Sequence, residues 1–258
     1  MRLPCSRVLT KVWRPVGVIL VVLVTAELLQ RTGASPVYIP APSSVLAKAF
    51  ASRTVLLDNL APTAGRATLG FLIAAAATFT AASLAVLFRP LHGVIYNTGA
   101  TLHSLPIIAT APLLALCIGT GAQLQVTLAA MACQFPILVG AIQGLASADA
   151  RQKELLIVLS ASRTQTLRYL LIPSALPYIF AGLKIAAPSA VLGTITAEWA
   201  GSERGIGAMM LYALFAYDTP TVWLSVIATC LLSAAGFGFW ALVEKLTRRT
   251  VDETELAS

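Results

Sequence analysis

The side chains able to do chemistry are few and scattered in this 258-residue chain. Its two histidines, His92 and His103, have no acidic residue or cysteine at ligand spacing, so neither a metal site nor a nucleophile with its base is supported. They read as interfacial or helix-packing residues. The four cysteines show no ligand spacing either, and Cys117, Cys133 and Cys230 stand inside apolar runs where a thiol behaves as a small hydrophobe. A phosphate-cradling loop would read GxxxxGK followed by Ser or Thr. The nearest stretch, GSERGIG at Gly201 to Gly207, lacks the lysine and follows no strand. No catalytic, cofactor-binding or metal-binding residue is therefore assigned. What stands out instead is a charged island, Asp149 to Pro173, carrying Arg151, Lys153, Glu154, Arg163 and Arg168 between long apolar runs. It reads as a loop presented to another protein.

The elements around that island must cross a membrane. Hydrophobic residues make up 57% of the chain and charged residues 11%, against about 25% charged in soluble domains. From Pro90 to Ala148, about sixty residues, there is no Asp, Glu, Lys or Arg. One crossing needs only about 20. Backbone groups in hydrocarbon must be paired internally, and the apolar runs are unbroken rather than alternating, so the fold class is an all-α membrane protein. A net charge of +7 raises nucleic acid as a partner, but the basic residues are dispersed among short segments with no motif for base recognition. The lipid bilayer explains them better.

Six spans are expected, at 15–29, 67–88, 101–118, 124–145, 176–198 and 221–243, within a transmembrane domain of 15–245 flanked by tails 1–14 and 246–258. The first is expected to be a retained helix, because no small-residue cleavage site follows it. Pro106 and Pro112 interrupt the third. With six spans both termini share one side, which collects Arg2 to Arg14, Arg89, the island, and Lys245 to Arg249. The positive-inside rule makes that side the cytoplasm. Between Pro36 and Pro62 an interfacial amphipathic helix is expected, capped by Ser43 or Ser44 ahead of Val45, Leu46, Ala49 and Phe50.

The spacing inside the island is specific. Glu154 is followed six residues later by Ser160, and Ser160 thirteen residues later by Pro173, with Leu170 and Ile172 near the end, in ELLIVLSASRTQTLRYLLIP. This resembles the EAA loop of ATP-binding cassette importer permeases, whose pattern is EAA, three residues, Gly, nine residues, then Ile, any residue, Leu, Pro. Leu155 and Leu156 stand where alanines are usual, and Ser160 replaces the glycine of the turn. At that turn a positive φ is costly for any residue but glycine. The likeness extends from YIPAPSSV at Tyr38 to the last span, and is nearest the nitrate, sulfonate and taurine branch, with pyrimidine-precursor permeases close by.

The resemblance implies a type I importer bundle in a bacterial inner membrane, with the loop 149–173 forming two short helices, 152–159 and 163–171, and a helix break at Pro173. It implies a homodimer, two ATPase subunits that bind ATP and Mg, and an extracytoplasmic solute-binding protein. The coupling residues would be Glu154, Leu155, Leu156, Ser160, Ala161, Ser162, Arg163 and Pro173. No cofactor and no covalent chemistry would belong to this chain.

Several polar residues inside the apolar runs are candidates for the path itself. Glu198, ending the fifth span, is a gate or pathway residue or an interfacial one beside Trp199. Gln134 is a candidate pore lining, as are Gln123 and Gln125. Lys184 is expected to reach the interface along its own stem. Gly140 and Gly144 permit close helix approach, within one subunit or between two. The solute is a small polar molecule, either nitrate-, sulfonate- or taurine-like or a pyrimidine or thiamine precursor. An ion-gradient-driven carrier is the other class. It would show ionisable residues or interrupted helices in repeated halves near mid-membrane. A membrane enzyme lacks its acid and base.

Overall fold

The computed structural model describes residues 5–33 and 38–256, with side chains placed for 17–33, 38–88 and 90–247. The expected basic cluster at 1–14 and most of the expected tail 246–258 lie outside the described side chains. Described residues are helical or in turns, with α1 Cys5–Arg31, α2 Pro42–Ala51, α3 Arg53–Leu87, α4 Arg89–Ser104, α5 Ile107–Ile118 and α6 Ala122–Ala146. There follow α7 Ala150–Val158, α8 Arg163–Thr166, a π turn Leu167–Leu171, α9 Ile172–Trp199, α10 Ile206–Phe215 and α11 Thr219–Leu256. The expected spans 15–29, 124–145, 176–198 and 221–243 fall on helix, 67–88 does so as far as Leu87, and 101–118 is broken at 105–106. Among the described residues four helical stretches are long and apolar enough to cross, Arg53–Leu87, Ala122–Ala146, Arg163–Trp199 and Thr219–Thr247.

The third expected span is not straight. It takes in only the end of one helix, Pro90–Ser104, and the whole of the next, Ile107–Ile118, and these two are bent by 95° at the break between them. A residue before proline is pushed out of the helical region, and Leu105 adopts φ −69 and ψ 128 accordingly. Pro112 stays inside α5. The second span starts earlier than its apolar run, because α3 carries Pro62 in its interior and runs 35 residues, about 52 Å at 1.5 Å per residue.

The chain divides into two compact units. In the first, Met1–Leu57 with Met209–Ile227, α2 forms where an interfacial helix was expected, with a different start. Ala41 is the cap and Pro42 opens the helix, where a missing N–H costs nothing. Ser43 instead donates from its N and Oγ to the Glu27 carboxylate at 3.1 and 2.9 Å. Val45 packs with Met209 and Leu224, and Lys48 pairs with Asp218 at 2.8 Å. Partial burial works against the Asp218 charge, but hydrogen bonds from Lys48 and Thr221 outweigh it and hold this carboxyl below its ordinary range.

The second unit, Asp58–Ala208 with Ala228–Ser258, is centred on α6 and α9. A Cβ on Gly140 would sit 2.7 Å from the Tyr178 carbonyl oxygen, and one on Gly144 would sit 2.9 Å from that of Ala175. The two glycines therefore serve packing against α9 of the same chain, and a methyl group at either would force backbones apart. Around this seam lie Phe71, Ala129, Cys133, Ile137, Phe180 and Leu183 at one level, and Ala82, Leu138, Ile142, Leu171 and Ala175 at another.

Candidate functional site

The island folds as a helix, a locked turn and a second helix. Asp149 caps α7, its carboxylate accepting from the Arg151 N–H at 2.9 Å. Expected to start at Gln152, the helix starts two residues earlier because of that cap. It ends in a Schellman motif, with Ala161 N–H donating to the Leu156 carbonyl and Ser160 N–H to that of Ile157, both at 2.9 Å. This closure requires a left-handed residue at the position after the cap. Ser160 occupies it with φ 54, so the serine takes the conformation usually given to glycine. Two residues later Ser162 opens α8 with a capping box. Gln165 N–H donates to Ser162 Oγ at 3.2 Å, and Ser162 N–H donates to Gln165 Oε1 at 2.7 Å. Spacing S-x-x-Q at 162–165 was the available signal for this box.

The second helix does not stop at Pro173. Arg163–Trp199 is one continuous helical stretch, and the turn before the proline is wide, with Ile172 N–H reaching back five residues to the Leu167 carbonyl. A proline ring clashes with the carbonyl four residues before it in a regular ladder, and the π turn loosens the ladder at that point. The island is thus joined rigidly to α9. Arg163 Nη1 donates to the Leu87 carbonyl at 3.3 Å, tying the start of α8 to the end of α3.

No residue of α7 is buried. Glu154 is exposed and belongs to none of the ion pairs among the described residues. Leu155 is 58%, Ile157 74%, Val158 79% and Leu159 66% exposed. Only Leu156 of this group turns inward, packing on the cluster of Ala82 and Leu145. Four large apolar side chains therefore project from a helix that touches little of its own chain. The sequence drew the eye to the arginines, whereas the structure adds an apolar face beside Glu154.

Glu198 sits in a different setting, 1% exposed. Its Oε1 accepts from Thr63 Oγ1 at 2.7 Å and its Oε2 from the Gly207 N–H at 2.7 Å. Thr63 Oγ1 in turn accepts from the Ile206 N–H at 2.9 Å, and Asn59 accepts from Gly205 N–H at 2.9 Å. Gly205, at φ +131, comes so close that a Cβ there would lie 2.2 Å from the Glu198 carboxyl carbon. The residue is the centre of a clasp joining α3, the end of α9 and the start of α10. Beside it Arg66 donates to Gln125 Oε1, and Gln125 Nε2 to Ser202 Oγ at 2.9 Å. Gln125 is 0% exposed and is a clasp residue, not a pore lining. Thr63, Asn59, Gly205 and Gly207 had no signal in local sequence.

Lys184 does not reach along its stem to open water. Its Nζ pairs with Glu244 at 2.6 Å, both side chains mostly covered, linking α9 to α11. The His103 ring stacks on Phe135, centroids 4.8 Å apart and planes 16° apart. Gln134, twelve residues from either end of α6, borders a cavity between α3, α4 and α6.

Residues 68–250 match the family described as binding-protein-dependent transport system inner membrane component. The chain belongs to this family. It is a multi-pass, non-catalytic permease subunit of an ATP-binding cassette importer, with ATP hydrolysis in a partner chain. It is 26% identical over 228 residues to the formylaminopyrimidine transport permease protein ThiX of Halalkalibacterium halodurans, covering 88% of this chain and 90% of that one. It is 29% identical over 268 residues to the taurine transport system permease protein TauC of Escherichia coli, covering 95% of this chain and 92% of the relative. Among solved structures it resembles an amino acid ABC transporter, with a TM-score of 0.62 at 14% identity over 77% of this chain and 97% of that one. The MetNI methionine ABC transporter in inward-facing conformations gives 0.54 at 18% identity, over 74% and 94%. These two likenesses show the permease fold.

Proposed function

We propose that this permease passes a small polar solute through a homodimer of itself, and that two ATPase subunits drive it by gripping the loop 149–173 from the cytoplasm. An extracytoplasmic binding protein delivers the solute, and ATP and Mg are held by the ATPases. Both termini face the cytoplasm with the loop. The observation that carries this reading is α7, a helix with no buried residue, whose Leu155, Ile157 and Val158, with Leu159 at its C-cap, stand exposed beside Glu154. An apolar face of that kind, rimmed by charge, marks a surface that a protein partner covers. The Schellman turn at Ser160 and the capping box at Ser162 hold it stiff, and the unbroken helix through Pro173 gives a rigid connection to α9. A pull on α7 would therefore move the α6–α9 seam as a body. The solute class is left open by the relatives, whose names include formylaminopyrimidine, riboflavin, aliphatic sulfonates and taurine.

The test is recovery of the ATPase with the solubilised permease. Glu154→Lys and Val158→Asp should each lower recovery at least tenfold with membrane insertion unchanged. Undiminished recovery and transport in both variants would refute the docking assignment. Inactivating the ATPase should stop uptake, whereas an ion-gradient carrier would continue until the gradient collapsed.

A further inference from the structure

We propose that one face of α4, carrying Asn97, Thr101 and Ser104, lines the solute path together with the break at Leu105 and Pro106. The inference rests on the permease reading above and names path residues that it leaves unassigned. Thr101 and Ser104 follow Asn97 at four and seven residues, which sets the three on one stripe of the helix. All three are exposed. The packed side of α4 lies elsewhere. The Tyr96 ring meets that of Phe135 at 6.2 Å between centroids, His103 stacks on the same ring, and a Cβ on Gly99 would run into the Leu138 side chain. These contacts with α6 also fix the depth of the stripe. Phe135 lies thirteen residues from one end of α6 and eleven from the other, so the stripe stands near the middle of a span.

At that depth an exposed polar face meets lipid, protein or water. A hydroxyl can satisfy itself on its own helix, as Ser104 Oγ does by donating to the Thr101 carbonyl at 2.7 Å. The Asn97 amide, with two N–H donors and an acceptor oxygen, has more to satisfy, and turning it to hydrocarbon is costly. The backbone just beyond Ser104 makes the same demand. The last carbonyls of a helix have no partner within it, Leu105 is extended, and Pro106 brings no N–H to continue the ladder. Leu105 is 40% exposed, and Pro106 is exposed as well. Non-helical backbone at membrane depth is tolerated where protein buries it or where it lines a water-filled cavity, and the described residues of this chain leave the break open. Side chains and backbone therefore call for water at one level of the bundle. With no Asp, Glu, Lys or Arg from Pro90 to Ala148, this wall offers a passing solute hydrogen bonds without a fixed charge to hold it.

The test uses the complete transporter in inside-out membrane vesicles, with Cys5, Cys117 and Cys230 replaced by serine and the buried Cys133 kept. The reporters are Asn97→Cys, Thr101→Cys and Ser104→Cys. The controls are Ile95→Cys, on the packed side of α4, and Leu231→Cys, exposed on the apolar α11. Each is timed against a trimethylammonium methanethiosulfonate, a fixed cation that attacks thiolates reached through water. The stripe should react about tenfold faster than either control. Trapping the ATPases with ATP and vanadate should change the stripe rates about fivefold and leave the controls alone, because a transport path alternates its access whereas a static crevice does not. Rates equal to that of Leu231→Cys would place the face in lipid, and oxidative cross-linking of Asn97→Cys between two copies without labelling would make it a subunit contact. Either result, or rates untouched by nucleotide, would overturn the proposal. Recovery of the ATPase with these same variants reports separately on the permease reading, because the substituted positions lie outside 149–173.

Discussion

Thr63→Val offers a direct measure of the Glu198 clasp. Valine keeps the shape of threonine but cannot donate or accept, so the change removes chemistry and little volume. The hydroxyl's contacts are lost at a site that is 0% exposed. Its proton is shared between Glu198 Oε1 at 2.7 Å and the Asn59 carbonyl at 3.1 Å, and its oxygen accepts from the Ile206 N–H at 2.9 Å. A lost hydrogen bond costs about 0.5–1.5 kcal/mol net, and a buried N–H left without a partner adds about 1–3 kcal/mol. The sum is about 2 to 4 kcal/mol, with no screening by water to reduce it. For a chain of this size each kcal/mol moves the midpoint by roughly 2–4 °C, so the purified permease should melt on the order of 10 °C lower. Thr80→Val is the control on the same helix. That residue is exposed and its hydroxyl bonds only the Ala76 carbonyl one turn back, so it should change the midpoint by no more than about 2 °C, as surface substitutions do. Thermal unfolding in detergent, followed by loss of monodisperse protein, reads both. If Thr63→Val melts with the control, the clasp contributes nothing and the reasoning from its hydrogen bonds is refuted.

At the turn, Ser160→Gly relieves a left-handed conformation that costs a non-glycine residue about 1–2 kcal/mol, less the added freedom of glycine in the unfolded chain. Amide exchange over 156–162 should slow several-fold, and Ser160→Val should speed it; equal protection in both would refute the strain. Lys184→Met removes the ammonium paired with the mostly covered Glu244 carboxylate and should cost about 3 kcal/mol, whereas Lys184→Met with Glu244→Leu should recover most of it. A double variant no better than the single would contradict the pairing. The Lys48–Asp218 bond carries a pH signature. Because the folded Asp218 carboxyl lies below its ordinary value, its stabilisation is complete above about pH 3.9 and is lost as pH falls through the lower folded value. The melting difference between wild type and Asp218→Asn should therefore hold from pH 7 to about 5 and shrink as the pH falls below the ordinary carboxyl value; a difference that grows on acidification would reverse the sign and reject it.

The sequence alone determined the features that depend on runs and short intervals. A stretch of about sixty residues with no charge can only lie in lipid, and the charged island between apolar runs had to be a loop. The interval from Glu154 to Ser160 to Pro173 marked its two helices and the turn, because such intervals are counted along one chain segment. Even there the local reading overran at Pro173, where a π turn, invisible in residue types, let the helix continue.

Tertiary structure decided whatever depends on residues far apart in the chain. Glu198 meets Thr63 across 135 positions and Lys184 meets Glu244 across 60, and no periodicity encodes such meetings. An acid in an apolar run must find a partner or a wet cavity, so sequence could pose that choice for Glu198. Only packing could answer it, with a hydroxyl from α3 and a backbone N–H at α10. The same holds for Gly140 and Gly144, whose spacing permits close approach to any helix. Which helix it is, α9 of the same chain, follows from the backbone carbonyls of Tyr178 and Ala175 standing where side chains would otherwise be.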